Sequence, residues 1–184
     1  MKYSAYYIQE SEGNFSASIA ELDLIKPEQG FVQIQVSHSS LNYKDALSAT
    51  GVKGVTRNYP FVPGIDAAGV VTDSASTLFA EGDEVIVTGY DLGMNTPGGF
   101  GEFITVPEGW IVKKPENISW SEVLAVGFLG GIGFTMSIFV ADLAFVGNPE
   151  LIFQAKIGIL SASLFSGLFG YFWLKSVSKK KQTS

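Results

Sequence analysis

Apolar and polar residues alternate along three short stretches in the first two thirds of the chain. Phe31–Val36 has an apolar residue at every second position, and similar runs occur at Glu84–Thr88 and Phe103–Val106. A period of two is typical of a strand with one buried face. Many short strands separated by turns predict a small β-barrel or sandwich.

Turn and helix signals complete the pattern of this region. Pro63-Gly64 and Pro97-Gly98-Gly99 are turn sequences between the strands. Leu41–Ala49 is the one helical interval that the pattern favours, and we expect Gly51 to end it.

The last third of the chain has a different pattern, because it contains two long runs without a charge. Val123–Ala141 is 19 residues long and Ile157–Leu174 is 18, with a turn at Gly147–Glu150 between them. A helix needs roughly 20 apolar residues to cross the bilayer core. The sequence therefore predicts a two-helix transmembrane hairpin, and the alternative is a helical hairpin buried in a soluble core.

Charge divides the chain at the same place. Residues 1–122 contain 16 acidic and 7 basic residues, whereas residues 123–184 contain 2 acidic and 5 basic residues. The overall charge of −6 argues against a nucleic-acid partner. We therefore expect an acidic soluble domain over 1–122 and a lipid-embedded segment over 123–184, with the bilayer as partner.

The distribution of lysines predicts an orientation. Lys175 and Lys179–Lys181 follow the second run, which places the C-terminus in the cytoplasm by the positive-inside rule. Two spans return the chain to its starting side, so the strand-rich domain is expected at the cytoplasmic face of the inner membrane. Met1–Glu10 lacks the apolar core of a cleavable signal.

Four motifs occur in a fixed order in the strand-rich part: Ser39–Ala46, Pro60–Gly69, Gly82–Val87 and Gly98–Glu102. Together they resemble the GroES-like catalytic domain of the medium-chain dehydrogenase/reductases over about residues 1–126. Asn42-Tyr43-Lys44-Asp45 is similar to the zinc-free quinone oxidoreductase and acryloyl-CoA reductase branch. The expected fold class is thus α+β, a partly open GroES-like β-barrel followed by the transmembrane hairpin.

This resemblance implies reduction of a conjugated carbonyl compound, an enone or an acyl-CoA, by NADPH. It assigns catalytic roles to Tyr43, Asn42 and Asp45, and it places Asn42 and Tyr43 beside the cofactor. A tyrosine hydroxyl can donate to a developing enolate, and an amide can orient a carbonyl group. It implies no zinc, because the chain has no cysteine and Ile65-Asp66 stands where zinc-dependent relatives have a His-Glu pair.

Structural explanations of the same residues remain open. Asn42 is a good N-cap for a helix that begins at Tyr43, and Tyr43 can be a buried aromatic residue of the barrel. For Asp66 we expect hydrogen bonds to backbone donors in a tight turn. His38, the single histidine, is interpreted as an ordinary strand residue.

The nucleotide-binding domain of the reductases is expected to be absent. Trp120–Gly127 resembles the start of the helix that leads to it, but no strand–turn–helix pattern follows. We interpret the glycines of this region as something other than a dinucleotide fingerprint; they are Gly127, Gly130, Gly131 and Gly133. The reductase-like part is therefore predicted to be inactive.

A second resemblance covers about Val123–Leu174. Its motifs are Gly130–Phe139, Ala141–Phe145, Asn148–Leu151 and Ala155–Ile159, and they resemble the last two helices of NhaA-type sodium/proton antiporters. The glycines either present helix dipoles to an ion, as in that family, or allow close helix packing. Asp142 and Lys156 lie near the connecting turn, where they can reach the interface or pair with each other.

The sequence thus predicts a fusion of two incomplete proteins, joined at an apolar stretch, Val123–Gly127, that both families share. Such a junction arises from short homology or from a sequence-assembly error. Three functions follow as hypotheses: a remnant of an NADPH-dependent oxidoreductase, a fragment of an antiporter, and a membrane-tethered binding module.

Overall fold

The computed structural model describes residues 1–52, 54–130 and 135–182. The chain forms two compact units, Met1–Lys114 and Pro115–Ser184. The first is built from strands with one short α-helix and a 3-10 turn, Glu108–Trp110, and every element of the described second unit is a helix. The domain boundary at 122/123 that charge suggests stays a prediction.

The first unit contains a five-stranded antiparallel sheet. Its order is β6-β3-β4-β5-β7, and its strands are β3 (Phe31–Ser39), β4 (Asp66–Ser74), β5 (Glu84–Thr88), β6 (Phe103–Pro107) and β7 (Ile111–Lys113). The three alternating runs of the sequence are the cores of β3, β5 and β6, so these predicted strands are confirmed.

A long β-hairpin precedes this sheet. It consists of β1 (Lys2–Ser11) and β2 (Asn14–Asp23), joined by Glu12 and Gly13, whose φ angles are 52° and 79°. Two positive φ angles are typical of a type I′ turn, whose twist matches the twist of the strands. The sequence pattern did not indicate this hairpin.

Two isolated β-bridges connect β1 to segments outside the hairpin. They pair Ala5 with Gly101 and Ile8 with Phe61. The curled arrangement closes around a core of side chains no more than 9% exposed, including Val32, Ile34, Val71, Val85, Val87, Leu92, Ile104 and Val106. Burial of such side chains contributes about 1.5–3 kcal/mol each and is the main stabilisation of this unit.

The short helix α1 (Tyr43–Ala49) follows β3. Gly51, with φ 71°, lies just after its C-cap, as the sequence predicts. A Cβ atom at this position would lie 2.1 Å from a ring carbon of Phe15, so the glycine also permits the close approach of β2.

The second unit consists of α2 (Trp120–Gly130), α3 (Thr135–Ala144) and α4 (Pro149–Gln182). Ser119 and Glu122 form a reciprocal capping box at the start of α2. At the start of α4, the Asn148 side-chain oxygen accepts from the Leu151 N–H at 3.2 Å, and Pro149 takes the first helical position. Gly147, with φ 84°, completes the predicted turn.

Both shorter helices pack along α4. Near the start of α2, the Trp173 indole N–H donates to the Ser121 hydroxyl at 3.1 Å, and further along, the Ser166 hydroxyl donates to the Phe128 carbonyl at 2.5 Å. A Cβ atom on Gly170 would lie 3.0 Å from Leu129, so the glycine permits close packing.

Among the described residues one helix is long and apolar enough to cross a membrane, Pro149–Val177, and it contains the predicted second span. The predicted first span coincides with α2 and α3, but residues 131–134, which include Gly131 and Gly133, lie outside the described residues. The two-helix hairpin is therefore not established by the structure.

Candidate functional site

The predicted site lies where three strand ends meet. β3 and β4 are antiparallel neighbours with Ser39 opposite Ala67, and β4 and β5 are neighbours with Asp66 opposite Thr88. The end of β3, the start of β4 and the end of β5 therefore share one edge of the sheet. The chain leaves β3 at this edge and enters α1 through Asn42.

Asp66 is the acceptor at the centre of this edge. Its carboxylate accepts from the Ser40 hydroxyl at 2.7 Å, from the Asn42 amide at 3.0 Å and from the Thr88 hydroxyl. We expected backbone donors in a tight turn, and this expectation is wrong, because the donors are three side chains. The antiparallel register brings them together, and a reading of isolated motifs missed Ser40 and Thr88.

Asn42 is held in one orientation by these contacts. Its side-chain amide donates to Asp66 and to the Ser40 hydroxyl, the latter at 2.6 Å. Asn42 is also the N-cap of α1, as the structural alternative proposed, with its backbone N–H bound to the Asp45 carboxylate at 2.7 Å. The residue thus fixes the start of α1 against the sheet edge.

Asp45 is 1% exposed, and both of its oxygens are engaged. One accepts from the Asn42 N–H, and the other accepts from the Gly64 and Ile65 N–H groups, each at 3.1 Å. This carboxylate joins α1 to the Pro63-Gly64 turn. The geometry suits a positioning residue better than a group that exchanges protons with a substrate.

Tyr43 differs from its neighbours, because it is 79% exposed. The alternative that it is a buried aromatic residue of the barrel is wrong. Among the described residues its hydroxyl has no hydrogen-bond partner. Tyr43 thus presents its side chain to solvent, one residue after Asn42 in the sequence.

An apolar groove of about 400 Å³ lies along α1. It is lined by Tyr6, Leu41, Asp45, Ala46, Ala49, Thr50 and Phe100. Both Asp45 oxygens already accept backbone N–H groups, so the groove offers a bound molecule apolar contacts rather than a free charge.

Among the described residues, no group of three or more His, Cys, Asp or Glu side chains is placed to hold a metal ion. His38 lies on β3, where its Nδ1 is 2.9 Å from the Ser37 hydroxyl. The resemblance-based assignment of a zinc-free site remains a prediction.

The pyrophosphate of a dinucleotide binds to free N–H groups at a helix N-terminus, and α2 is the first such helix after β7. The start of α2 does not fit, because the Glu122 carboxylate accepts from the Ser119 N–H at 2.7 Å and from its hydroxyl at 2.9 Å. A negative carboxylate already occupies this position.

In the helical unit, Lys156 Nζ lies 2.8 Å from an Asp142 carboxylate oxygen. Of the three charged residues between the uncharged runs, Asp142 and Lys156 therefore pair with each other, one of the two outcomes that the sequence allowed. The pair links α3 to the first two turns of α4.

Comparison with known proteins gives two sets of relatives. The family model of Na+/H+ antiporter 1 matches residues 64–174, a range that includes β4 to β7 as well as the helices up to Leu174 of α4. NhaA, a Na(+)/H(+) antiporter of Sulfurimonas denitrificans, is 65% identical over 69 residues, which are 38% of this chain and 16% of that protein.

The other relatives are reductases. The putative quinone oxidoreductase YhfP of Bacillus subtilis is 44% identical over 125 residues, which are 67% of this chain and 37% of that protein. The crystal structure of the yhdH oxidoreductase from Salmonella enterica in complex with NADP is 34% identical with a TM-score of 0.61. The match covers 77% of this chain and 42% of that one.

These findings confirm the two-part resemblance. The first unit is similar to the GroES-like domain of medium-chain reductases, and the chain also contains antiporter-like sequence. The chain spans less than half the length of the reductase relative and about a sixth of the antiporter.

Proposed function

We propose, on the premise that this chain belongs to the Na+/H+ antiporter 1 family, that antiporter-type helices anchor a reductase-type barrel in the membrane. The barrel is the substrate-side half of a zinc-free, NADPH-dependent oxidoreductase site for an enone or acyl-CoA. The observation that carries this function is the Asn42 side-chain amide that Asp66 holds, with the exposed Tyr43 as the next residue of the chain.

The proposed roles follow from these contacts. Tyr43 is the hydroxyl that can donate a hydrogen bond or proton to a carbonyl oxygen on which negative charge develops. Asn42 orients the same carbonyl group or the nicotinamide, and its amide is preorganised by Asp66 and Ser40. Asp45, which the resemblance assigns to catalysis, acts here as the positioning residue of α1.

We further propose that the chain alone does not catalyse the reduction of an enone or acyl-CoA by NADPH. Holding two reactants in near-attack geometry supplies about 7–11 kcal/mol of a typical barrier reduction. The described residues arrange the substrate side only, since Glu122 occupies the helix N-terminus that follows the barrel. Within the described ranges, the cofactor of the related oxidoreductases thus has no second element to hold it.

The test uses the full chain in detergent with NADPH and acryloyl-CoA or a simple enone. We expect no micromolar binding in NADPH fluorescence and no substrate-dependent loss of NADPH absorbance. NADPH oxidation that is lost in Tyr43→Phe but kept in Tyr90→Phe would contradict the inactivity and support the assignment of Tyr43. Tyr90 is a matched control because it is also an exposed tyrosine of this unit, 62% exposed.

Membrane anchoring is the second part of the proposal. Of the apolar window in Pro149–Val177 only 6% is buried inside the structure, so α4 is not the covered core helix of a soluble unit. We propose that α2 and α3 return along it as the predicted hairpin, which places the barrel and the C-terminus on the cytoplasmic side. The full chain should resist alkaline extraction from membranes, and recovery as a soluble monomer without detergent would refute the anchor.

Transport is the other candidate, and the antiporter similarity favours it. The Asp142–Lys156 pair argues against an ion-binding carboxylate, because Lys156 already neutralises Asp142 at 2.8 Å. We expect no sodium-driven proton movement in proteoliposomes. A signal abolished by Asp142→Asn would establish transport instead.

A further inference from the structure

We propose that the C-terminal end of α4 binds the headgroups of anionic phospholipids through Lys175 and the three lysines that follow it. The inference rests on the proposed function, because it requires α4 to lie in a bilayer. It goes further by assigning a lipid class and a place on the helix.

The length of α4 locates this end relative to the bilayer. At about 1.5 Å per residue, 20 residues cross the roughly 30 Å hydrocarbon core. A crossing that begins near Leu151 therefore ends near Tyr171. The helix continues to Gln182, about 16 Å beyond that residue, and so passes through the headgroup region.

Aromatic side chains mark the same level independently of this count. Tyr171 and Phe172 are 54% and 62% exposed, and Trp173 is bound through its indole N–H to Ser121 at the start of α2. Trp120 lies beside that serine in the sequence. Tryptophan and tyrosine concentrate at the membrane–water interface, so two helices place the interface at this end.

The charges follow directly after these aromatic residues. Lys175 is exposed, with its Nζ 5.7 Å from the Tyr171 ring centroid, and its long side chain can carry the ammonium group to the headgroups. The sequence places Lys179, Lys180 and Lys181 in the last turns of the same helix, and it contains no acidic residue after Glu150. This end therefore carries four positive charges, and the one carboxylate of the helix, Glu150, lies in the first turn at its opposite end.

The opposite end of α4 shows that this charge is not a general feature of the helix. Glu150 lies in its first turn, and Lys156 is paired with Asp142. Lysine clusters next to a membrane helix attract anionic lipids, and the negative end of the helix dipole favours cations at a C-terminus. A zwitterionic headgroup has no net charge, so the site should prefer phosphatidylglycerol to phosphatidylcholine.

The experiment measures lipid preference at this end of the helix. The full chain with Trp110→Phe, which leaves Trp120 and Trp173 as emitters, is reconstituted into vesicles of equal phosphatidylglycerol and phosphatidylcholine. Bromine on the acyl chains of one lipid at a time makes that lipid a quencher. We expect a relative affinity of about fivefold for phosphatidylglycerol, which corresponds to about 1 kcal/mol for a lysine near an anionic surface.

Two variants make the test specific. The fourfold lysine-to-glutamine variant at 175, 179, 180 and 181 should lower the relative affinity to about one, and the matched lysine-to-arginine variant should retain it. Equal quenching by both lipids in the parent chain, or a preference that the glutamine variant keeps, overturns the inference and leaves the anchor intact. Absence of quenching by either lipid refutes the anchor itself.

Discussion

The two units of this chain both contain many apolar residues, but the first unit buries them in a core and the second exposes many of them on its surface. In Met1–Lys114, Ile8, Ile34 and Val85 are 0% exposed. In Pro115–Ser184, Leu164 and Phe165 are 63% and 74% exposed. Packing explains the first arrangement, whereas large apolar side chains exposed to this degree are typical of a membrane-embedded or partner-binding surface.

Charged groups have hydrogen-bond or ion-pair partners in both units, but the kind of partner differs. In the strand unit the carboxylates of Asp45 and Asp66 are satisfied by neighbouring backbone and side-chain donors. In the helical unit, Asp142 and Lys156 satisfy each other. An exposed apolar side chain is therefore expected to tolerate a charge in the strand unit but not in the helical unit.

The largest effect is expected for Asp45→Ala. It leaves three backbone N–H groups without their acceptor, those of Asn42, Gly64 and Ile65. Each lost bond to a charged acceptor costs about 1.5–3 kcal/mol, so we expect a loss of at least about 4.5 kcal/mol, a large share of the stability of a small domain. Thermal unfolding of the strand signal in detergent measures it, with the exposed Asp23→Ala as control. A loss below 1 kcal/mol would show that the contact is unimportant.

A pair of lysine substitutions tests the contrast directly. Phe165 on α4 and Ile19 on β2 are 74% and 73% exposed, so exposure alone predicts the same tolerance for both. We expect Phe165→Lys to cost about 3 kcal/mol in membrane insertion, because a charge then lies at mid-helix, and Ile19→Lys to cost at most about 0.5 kcal/mol. Membrane-inserted and extractable fractions of each variant measure the two effects. Equal tolerance would remove the reason to place α4 in lipid.

Sequence reasoning was most successful where one segment carries its own signal. The period of two identified β3, β5 and β6. Gly51 was expected to end the helix, and it follows the last turn of α1 with a positive φ angle. Hydropathy likewise identified the part of α4 that is long and apolar enough to cross a membrane. The β1–β2 hairpin was not predicted, because buried and exposed residues do not alternate regularly along its strands.

The site was harder to predict because its geometry depends on pairing between distant strands. Asn42, Tyr43 and Asp45 are adjacent in sequence, yet one is fixed on Asp66, one is open to solvent and one is buried. Ser40 and Thr88 share the Asp66 carboxylate because β4 pairs in register with both β3 and β5. No pattern within a single motif contains that information.

A smaller effect is expected for the Asp142–Lys156 pair. Asp142→Asn leaves Lys156 without its partner, and Lys156→Gln leaves Asp142 without its own, so each should weaken the packing of α3 on α4. In a double-mutant cycle we expect a coupling of about 1 kcal/mol, with the double variant less destabilised than the sum of the singles. Unfolding of the helical signal in a titration of micelles with a denaturing detergent measures it. Strict additivity would show that the two charges do not interact.

The smallest effect concerns Asp83, a surface residue of the strand unit. Its carboxylate accepts from the Lys113 ammonium at 2.7 Å and from the Ala80 N–H at 2.9 Å, and these contacts, Lys113 first, hold the pKa of Asp83 below its ordinary value. A lowered folded-state pKa means that the unfolded chain binds the proton more readily. Asp83 therefore contributes stability that is present above the unfolded pKa of about 3.9 and is lost as pH falls through the folded pKa. We expect Asp83→Asn to unfold more easily than the parent chain near neutral pH and equally at the acid end of the titration. Lys113→Gln should reduce the same pH-dependent difference, because it removes the principal cause. Unfolding midpoints of the three proteins measured across this range provide the comparison, and parallel curves at every pH would show that the ion pair does not shift the titration of Asp83.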